Sequence, residues 1–390
     1  MPQDPQDPLA AASHPCPYPY YAALRARSGL HWFGQHKLWA LVRAGTVSAA
    51  LPAGCAKVRP VAQPVPAFLY GSRAGLVFAA LARMTDGPAH VACRAHLQPL
   101  LPPLDTARVA AAAGRVLGPA AQAWHAHHDA AALDALVQGV PVRMVLDTLG
   151  LAPGLHTPLL AATAAWVSGL SPLASPTGQQ AAISAIDSLL PALAGCGMHG
   201  IAALAAPVAL LMQAHEATAG RVGAGLLRLG SDSGLQAAAL AGTLPWAAFA
   251  AEVLRHDPPI QNTRRYLADD LVLDGQRLLA GDSLLLVLAS AAHDMPAQDR
   301  PAQFQLQRPA RSPLPLGLGT HACPGGAAAL AIAICAWRHI LQVDGRGAPD
   351  KPDGSASSAS LAAVVQHTRG VSWRASANAR LPIFTAAAAV

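Results

Sequence analysis

Four glycines flank a cysteine and a proline in the stretch Leu316-Gly317-Leu318-Gly319-Thr320-His321-Ala322-Cys323-Pro324-Gly325-Gly326, which constrains the fold more than any other part of the chain. Glycine lets backbone approach something flat and bulky that a side chain would hold away. Pro324 suits the first position of a helix, so Cys323 is expected just before a helix N-terminus. There, unpaired amides and the helix dipole favour thiolate over thiol. A thiolate presented in this way in an apolar chain is a good ligand for haem iron. An inert buried cysteine on a glycine-rich turn is the alternative that these residues alone leave open.

The remainder of the chain can supply the enclosure such a site needs. Of 390 residues, 53% are hydrophobic and 12% charged, which excludes general disorder and provides for a large core. Alanine is so abundant that helix expectations resting on it alone carry little weight. The net charge of +6 is not gathered into a run, so nucleic acid is not expected as a partner, although a basic patch for an acidic protein remains open. Six cysteines lie far apart without a CxxC pair, which argues against a disulfide framework or structural zinc and fits a reducing compartment. Met1 to Ser13 is polar and proline-rich, unlike a signal peptide. Gly200 to Met212 is too short to span a bilayer and leads into His215 and Glu216, so a buried core helix is expected there and no membrane segment.

The pattern is mostly helical. Helices are expected over Pro17–Arg27, Leu81–Leu101, Ala107–Leu149, Leu159–Gly169, Gly178–Leu193, Ala202–Leu229 and Gly325–Leu341, with a turn-rich break from Ser171 to Pro176. His36–Val42 alternates like a strand, and Arg264–Val287 reads as short strands with Asp-Gly and Ala-Gly-Asp turns. Pro296–Pro315 is irregular, and Asp344–Ser360 is a solvated loop. No linker is clean enough to cut the chain. The expected architecture is mainly α with a small β region, in a single large domain over residues 1–390.

The cysteine stretch resembles the haem-binding loop of the cytochrome P-450 family, FGxGxHxCxG. Gly317, Gly319, His321, Cys323 and Gly325 fall on the pattern. Leu316 stands where the family usually has Phe beside the sulfur, which bears on thiolate electronics and redox potential but not on ligation. The resemblance implies a cytochrome P-450-like fold, haem b (iron protoporphyrin IX) as cofactor and Cys323 as the iron ligand.

Other segments match the same family. Glu252-Val253-Leu254-Arg255 places two charges on one helix face, a weak signal alone, but it matches the family's ExxR element. Such a pair in so apolar a chain is expected to be partly buried and to need further partners. Ala292 to Pro296 followed by Phe304 to Arg308 resembles the family's "NRDP…FDxxR" segment. The resemblance makes Glu252, Arg255 and Arg308 a structural triad. Asp86 to Arg94 resembles DPPxHxxxR, which implies that His90 and Arg94 meet the haem propionates. Arg264 and His321 are the other propionate candidates, and Arg265 is expected to face solvent. Tyr18 to Arg25 and Trp373 to Ile383 look like the family's first helix and last hairpin.

Gln213-Ala214-His215-Glu216-Ala217-Thr218 resembles the AGxETT element of the family's long central helix. Ala214 would leave room for dioxygen, and Glu216 fits the acid of an acid–alcohol pair. Ala217 occupies the alcohol position and has no donor. A regular helix would swing Thr218 away by one step, and a local bulge would bring it back. Segments Val61–Leu81, Ser168–Gly200, Ile260–Thr263 and Ala375–Ala379 are expected to line the substrate pocket, with Phe68, Tyr70, Phe78, Ile260, Gln261 and Asn262 as contacts. No charged cluster stands out there, so the expected substrate is a neutral or weakly polar small organic molecule such as a natural-product intermediate.

The resemblance implies a soluble, cytoplasmic, monomeric haem-thiolate monooxygenase that uses O2. Without a GxGxxG strand–helix unit or length for a fused reductase, electrons are expected from an external ferredoxin-type donor and its reductase. Ala217 keeps open an atypical haem-thiolate enzyme, driven by peroxide or catalysing dehydration, cyclisation or coupling. A non-catalytic haem protein is the third reading.

Overall fold

Apolar residues from two distant parts of the chain pair into one sheet. The computed structural model describes residues 4–101, 106–294, 300–309, 313–343 and 356–385. Strands β1 (Leu30–Phe33), β2 (Leu38–Leu41) and β3 (Ala56–Lys57) join β4 (Thr263–Leu267) and β7 (Ser283–Leu286) in the order β1-β2-β7-β4-β3. β2 runs parallel to β7, with Leu41 opposite Leu286, while β4 runs antiparallel to β7, with Arg265 opposite Leu284. Between them, β5 (Leu271–Leu273) and β6 (Gln276–Leu278) form a hairpin. Its two-residue turn holds Asp274 and Gly275 at φ 52° and 76°, the positive values that a type I′ turn demands of its Asp-Gly pair. A last hairpin pairs β8 (Val371–Trp373) with β9 (Pro382–Phe384).

The helical body carries the main core. Its central element runs from Ile201 to Ser231, an α-helix interrupted by a π turn over Ala214–Thr218. It matches the long helix expected over Ala202–Leu229 and takes in the apolar stretch up to Met212. Ile201–Ser231 is long and apolar enough to cross a bilayer, as is Gly319–Ile340, but Leu204, Leu211, Val222, Leu226 and Leu229 of the former are buried in the core. The helix after the cysteine, Gly326–Ile340, locks onto the central one. Trp337 Nε1 donates to the carbonyl of Val222 at 2.8 Å, and a Cβ on Gly225 would lie 2.1 Å from the Trp337 ring. Only glycine permits this approach, which fixes the spacing between the cysteine loop and the π turn.

Several boundaries differ from the sequence reading. Ala107–Leu149 is two helices, Thr106–His127 and Ala130–Thr148, broken where His128 takes φ 50° and Asp129 caps the second by accepting from Ala132 N. Leu81–Leu101 shrinks to Gly87–Leu97 with short 3-10 turns on either side. The helix after the cysteine opens at Gly326, not Pro324, which sits in a turn. Met295, Pro296 and residues 344–355 lie outside the described residues; Ser358–His367, at the end of the expected loop, is helical.

Candidate functional site

The cysteine loop is shaped by two left-handed glycines. Gly317 and Gly319 take φ 74° and 70°, and Cys323 N donates back to Leu316 O at 2.8 Å, closing the loop. The neighbouring helix Gly87–Leu97 braces it. Arg94 Nη1 donates to the carbonyls of Thr320 and Ala322 at 2.9 and 3.1 Å. The ring nitrogens of buried His90 face the carbonyls of Ala82 and Thr320 at 2.8 and 3.0 Å. The His90 and His321 rings lie 4.2 Å apart, and His321 Nε2 meets Asp86 Oδ1 at 3.2 Å. Leu316 packs towards Gly326, the first residue of the following helix.

Cys323 is exposed and borders the cavity. Burial raises its thiol pKa, against the opposing pull of the Gly325 amide and of Arg221, Arg94 and Arg83. This corrects the expectation that the helix terminus alone would favour thiolate: desolvation outweighs it. A coordinating metal removes the proton from such a thiol outright.

Glu252, Arg255 and Arg308 come together. Glu252 Oε1 accepts from Arg255 Nε and Nη2 at 3.0 and 2.8 Å, from Arg308 Nε at 3.2 Å and from Gln305 N at 3.1 Å. All three side chains are buried. Burial acts to raise the Glu252 pKa, yet these hydrogen bonds together hold it below the usual carboxylate value. Arg255 and Arg308 also donate to the Gln303 carbonyl, which ties the irregular segment to the helix Trp246–His256. None of the three lines the cavity.

Across the cavity stands the π turn. A π turn takes up one more residue than an α turn, so adjacent positions share a face. Ala214, Glu216, Ala217 and Thr218 all line the same space, which means the bulge needed to bring Thr218 back is present. Burial raises the Glu216 pKa, opposed by Arg83 and Arg374. Burial pushes His215 down to about 4, and its Nδ1 has no hydrogen-bond partner.

The cavity between loop and turn measures about 480 Å³. Phe78, Ile260 and Asn262 line it, together with Leu170–Pro172 and Ser376–Asn378, so parts of all four expected segments meet there. Three contacts do not. Phe68 packs against the main core, Tyr70 is 59% exposed, and Gln261 is fully buried, donating to Pro258 O and accepting from Tyr21 Oη. Outside those four segments, Arg59, Arg83, Arg94, Arg221, Arg264 and Arg265 also reach the cavity. Arg265, expected in solvent, is 4% exposed. It shares a strand face with buried Leu267 and sits opposite buried Leu284, an alternation that was readable in the sequence. Arg221 follows Ala217 by one helical turn and could have been found as a charge interrupting an apolar face. Arg83 lies in a short turn with no periodicity to expose it.

These residues fit a flat, dianionic, sulfur-ligated group. The buried Nε atoms of Arg221 and Arg265 have no partner, and Arg265 lies beside His321, where it acts on that ring's pKa. His90, Arg94, Arg264, Arg265 and His321 could receive two carboxylates while Cys323 supplies the axial sulfur, which is the donor set of haem.

No family model matches the chain. It is 30% identical over 151 residues to the 20-oxo-5-O-mycaminosyltylactone 23-monooxygenase of Streptomyces fradiae, covering 38% of this chain and 36% of that protein. It is 33% identical over 168 residues to cytochrome P450 144 of Mycobacterium tuberculosis, covering 42% and 38%. The chain thus spans under two fifths of the length of these relatives. Among solved structures, CalO2 superposes with a TM-score of 0.74 at 20% identity over 99% of both chains. The matched stretches are similar to cytochrome P450 sequences, and the fold is that of solved bacterial cytochrome P450 structures.

Proposed function

We propose that this protein is a haem-thiolate monooxygenase that inserts one atom of O2 into an organic substrate, with Cys323 as the iron ligand. The observation that supports the reading is that Cys323 and Glu216, Ala217 and Thr218 of the π turn line one cavity. Bound haem b would supply dioxygen activation and oxygen transfer. His90, Arg94, Arg264, Arg265 and His321 would hold its propionates, and Leu316 would lie beside the sulfur. Ala214 leaves space above the ring. Thr218 positions a water molecule, and Glu216, with its raised pKa, carries protons to it. Phe78, Ile260 and Asn262 orient the body of the substrate. The substrate would be a neutral or weakly polar organic molecule such as a natural-product intermediate.

A ferredoxin-type donor would supply the electrons. A monomer in the cytoplasm, without membrane or nucleic acid partners, completes the proposal; six free cysteines support a reducing compartment. Ala217 at the cavity favours one second reading, a peroxide-driven or non-inserting haem-thiolate enzyme. The test is to prepare the haem-loaded protein, record the reduced carbon monoxide complex, and compare turnover with a ferredoxin system and with hydrogen peroxide. A band near ~450 nm and reductase-dependent product are expected. A Cys323→Ala variant that keeps the band would overturn the ligand assignment, peroxide-only turnover would favour the second reading, and no turnover by either route would favour a non-catalytic haem protein.

A further inference from the structure

Gln261 is fully buried, and the residue after it lines the cavity. Asn262 is 1% exposed, so the little surface it keeps is the part that faces that space. Its place is set on both sides. Ile260 bridges to Ala379, and Gln261 N donates to Asn378 O at 2.8 Å. Between the same two segments Asn262 Nδ2 donates to Ala377 O at 2.9 Å. A carbonyl oxygen only accepts, so this bond decides which end of the amide is nitrogen. The end left for the cavity is Oδ1, which makes no hydrogen bond with any described residue.

We propose that Asn262 Oδ1 accepts a hydrogen bond from the substrate, which makes the substrate an apolar molecule carrying a neutral donor, a hydroxyl or an amide N–H. The inference rests on the monooxygenase reading and assigns a substrate feature to that site.

The donor is found by elimination. Haem propionates are carboxylates without a proton to give, so they cannot meet an acceptor. Arg265 Nη1 already donates to the Arg264 carbonyl at 2.8 Å and to Thr263 Oγ1 at 3.4 Å. An ammonium group on the substrate would be repelled by the arginines of the lining, so the donor is uncharged. The other two amides of the lining are not equivalent to Asn262. Asn378 Oδ1 receives the Ser376 hydroxyl at 3.4 Å, and Gln213 Nε2 has no partner, so nothing fixes which atom Gln213 turns to the cavity. Asn262 is the lining amide whose orientation and free acceptor are both set by the fold. A substrate that covers Oδ1 without offering a proton leaves it buried and unpaired, which is the costly case for an acceptor. A site built in this way rejects an analogue lacking the donor more strongly than the small change in size implies. Pro259, Ile260 and Ala377, which line the cavity from the same two segments, are apolar and suit the body of such a molecule.

The test uses haem-loaded protein that displays the carbon monoxide band of a thiolate-ligated iron, so failure of the cofactor reading is seen separately. Three pairs of probes differ by capping the donor: adamantanol and its methyl ether, pregnenolone and its methyl ether, N-dodecylacetamide and its N-methyl derivative. Calorimetry and the haem absorption shift report binding. At least one donor-bearing probe is expected to bind about tenfold more tightly than its capped partner, the scale of one hydrogen bond together with the penalty for leaving it unmade. Asn262→Leu and Asn262→Ala erase the preference while retaining haem; two variants are used so that one side chain's misfit is not read as loss of the acceptor. The proposal is overturned if no donor-bearing probe binds, if the capped partners bind equally or better, or if the preference survives in either variant, which would trace it to the bulk of the cap. Loss of haem from both variants overturns it as well, since Asn262 would then serve the cofactor.

Discussion

Thr218 reaches the cavity because the π turn rotates it onto the face that Ala217 also occupies. In a regular helix the two would diverge by about 100°, and the hydroxyl would be lost to the site. The bulge therefore substitutes for the missing alcohol at position 217, and its cost is an irregular hydrogen-bond pattern in the middle of a long helix. Thr218→Ala is expected to lower product formation by about a hundredfold, within the range of a lost proton-delivery group, while reductant is still consumed. Product formed per reductant oxidised measures it; an unchanged ratio would remove Thr218 from the proton path. Arg221 makes a second residue-scale case. It is 3% exposed, its Nε is unpartnered, and it acts on Cys323 through its charge. Arg221→Met withdraws a cation from beside the thiolate, so the sulfur donates more strongly and the haem reduction potential becomes more negative. Potentiometric titration of the loaded protein reads the change, and a potential that stays the same or rises would contradict it.

At the scale of elements, two contacts hold the walls of the cavity apart at a fixed distance. Gly225 admits the Trp337 ring where a Cβ would overlap it, and the Glu252 cluster fastens residues 301–308 to the helix Trp246–His256. Gly225→Ala should destabilise the fold by about 1–3 kcal/mol through overpacking, seen as a lower denaturant midpoint. Arg255→Ala should cost more, about 3–5 kcal/mol, because it leaves Glu252 buried and only partly compensated. Equal losses for the two variants would show that Glu252 tolerates exposure to water. The legibility of these elements in the sequence follows from their range. The cysteine loop is read from residues within a few positions of one another, and the spacing of Glu252 and Arg255 puts them on one helix face. The glycine in the central helix that meets Trp337 carries no such signal, since the partner lies more than a hundred positions away. Arg265 was legible in principle from strand alternation, whereas Arg83, in a short turn between helices, became visible only once the chain had brought it to the cavity. Gln261, placed in the pocket by its position in the chain, proved to be a buried strut whose partner, Tyr21, comes from the first helix.

For the whole molecule, the buried histidines set the response to acid. Burial pushes His215 down to about 4 and His293 down to about 3, both from an ordinary value of 6.5. His293 Nε2 donates to His256 O at 2.8 Å, and His215 Nδ1 has no hydrogen-bond partner, so a proton added there would be buried unpaired. Their folded pKa values lie below the unfolded one, so between the two the unfolded chain binds more protons. Stability is then fully present above about pH 6.5 and is lost as pH falls towards the folded values. At about 1.4 kcal/mol per pKa unit, the loss is roughly 3 kcal/mol from His215 and roughly 5 kcal/mol from His293 by the time each titrates in the folded protein. Glu216 works the other way, because its raised pKa favours the folded form on acidification, but a single partly buried carboxyl offsets only part of the two histidines. Domains of this kind have about 5–15 kcal/mol to lose, so unfolding is expected before pH 4. Denaturant midpoints measured at pH 7.5, 6 and 5 should decline in that order, and His293→Gln, which keeps a donor for the His256 carbonyl without a titrating ring, should flatten the decline. A midpoint constant from pH 7.5 to 5 would mean that both rings accept a proton inside the fold at no cost.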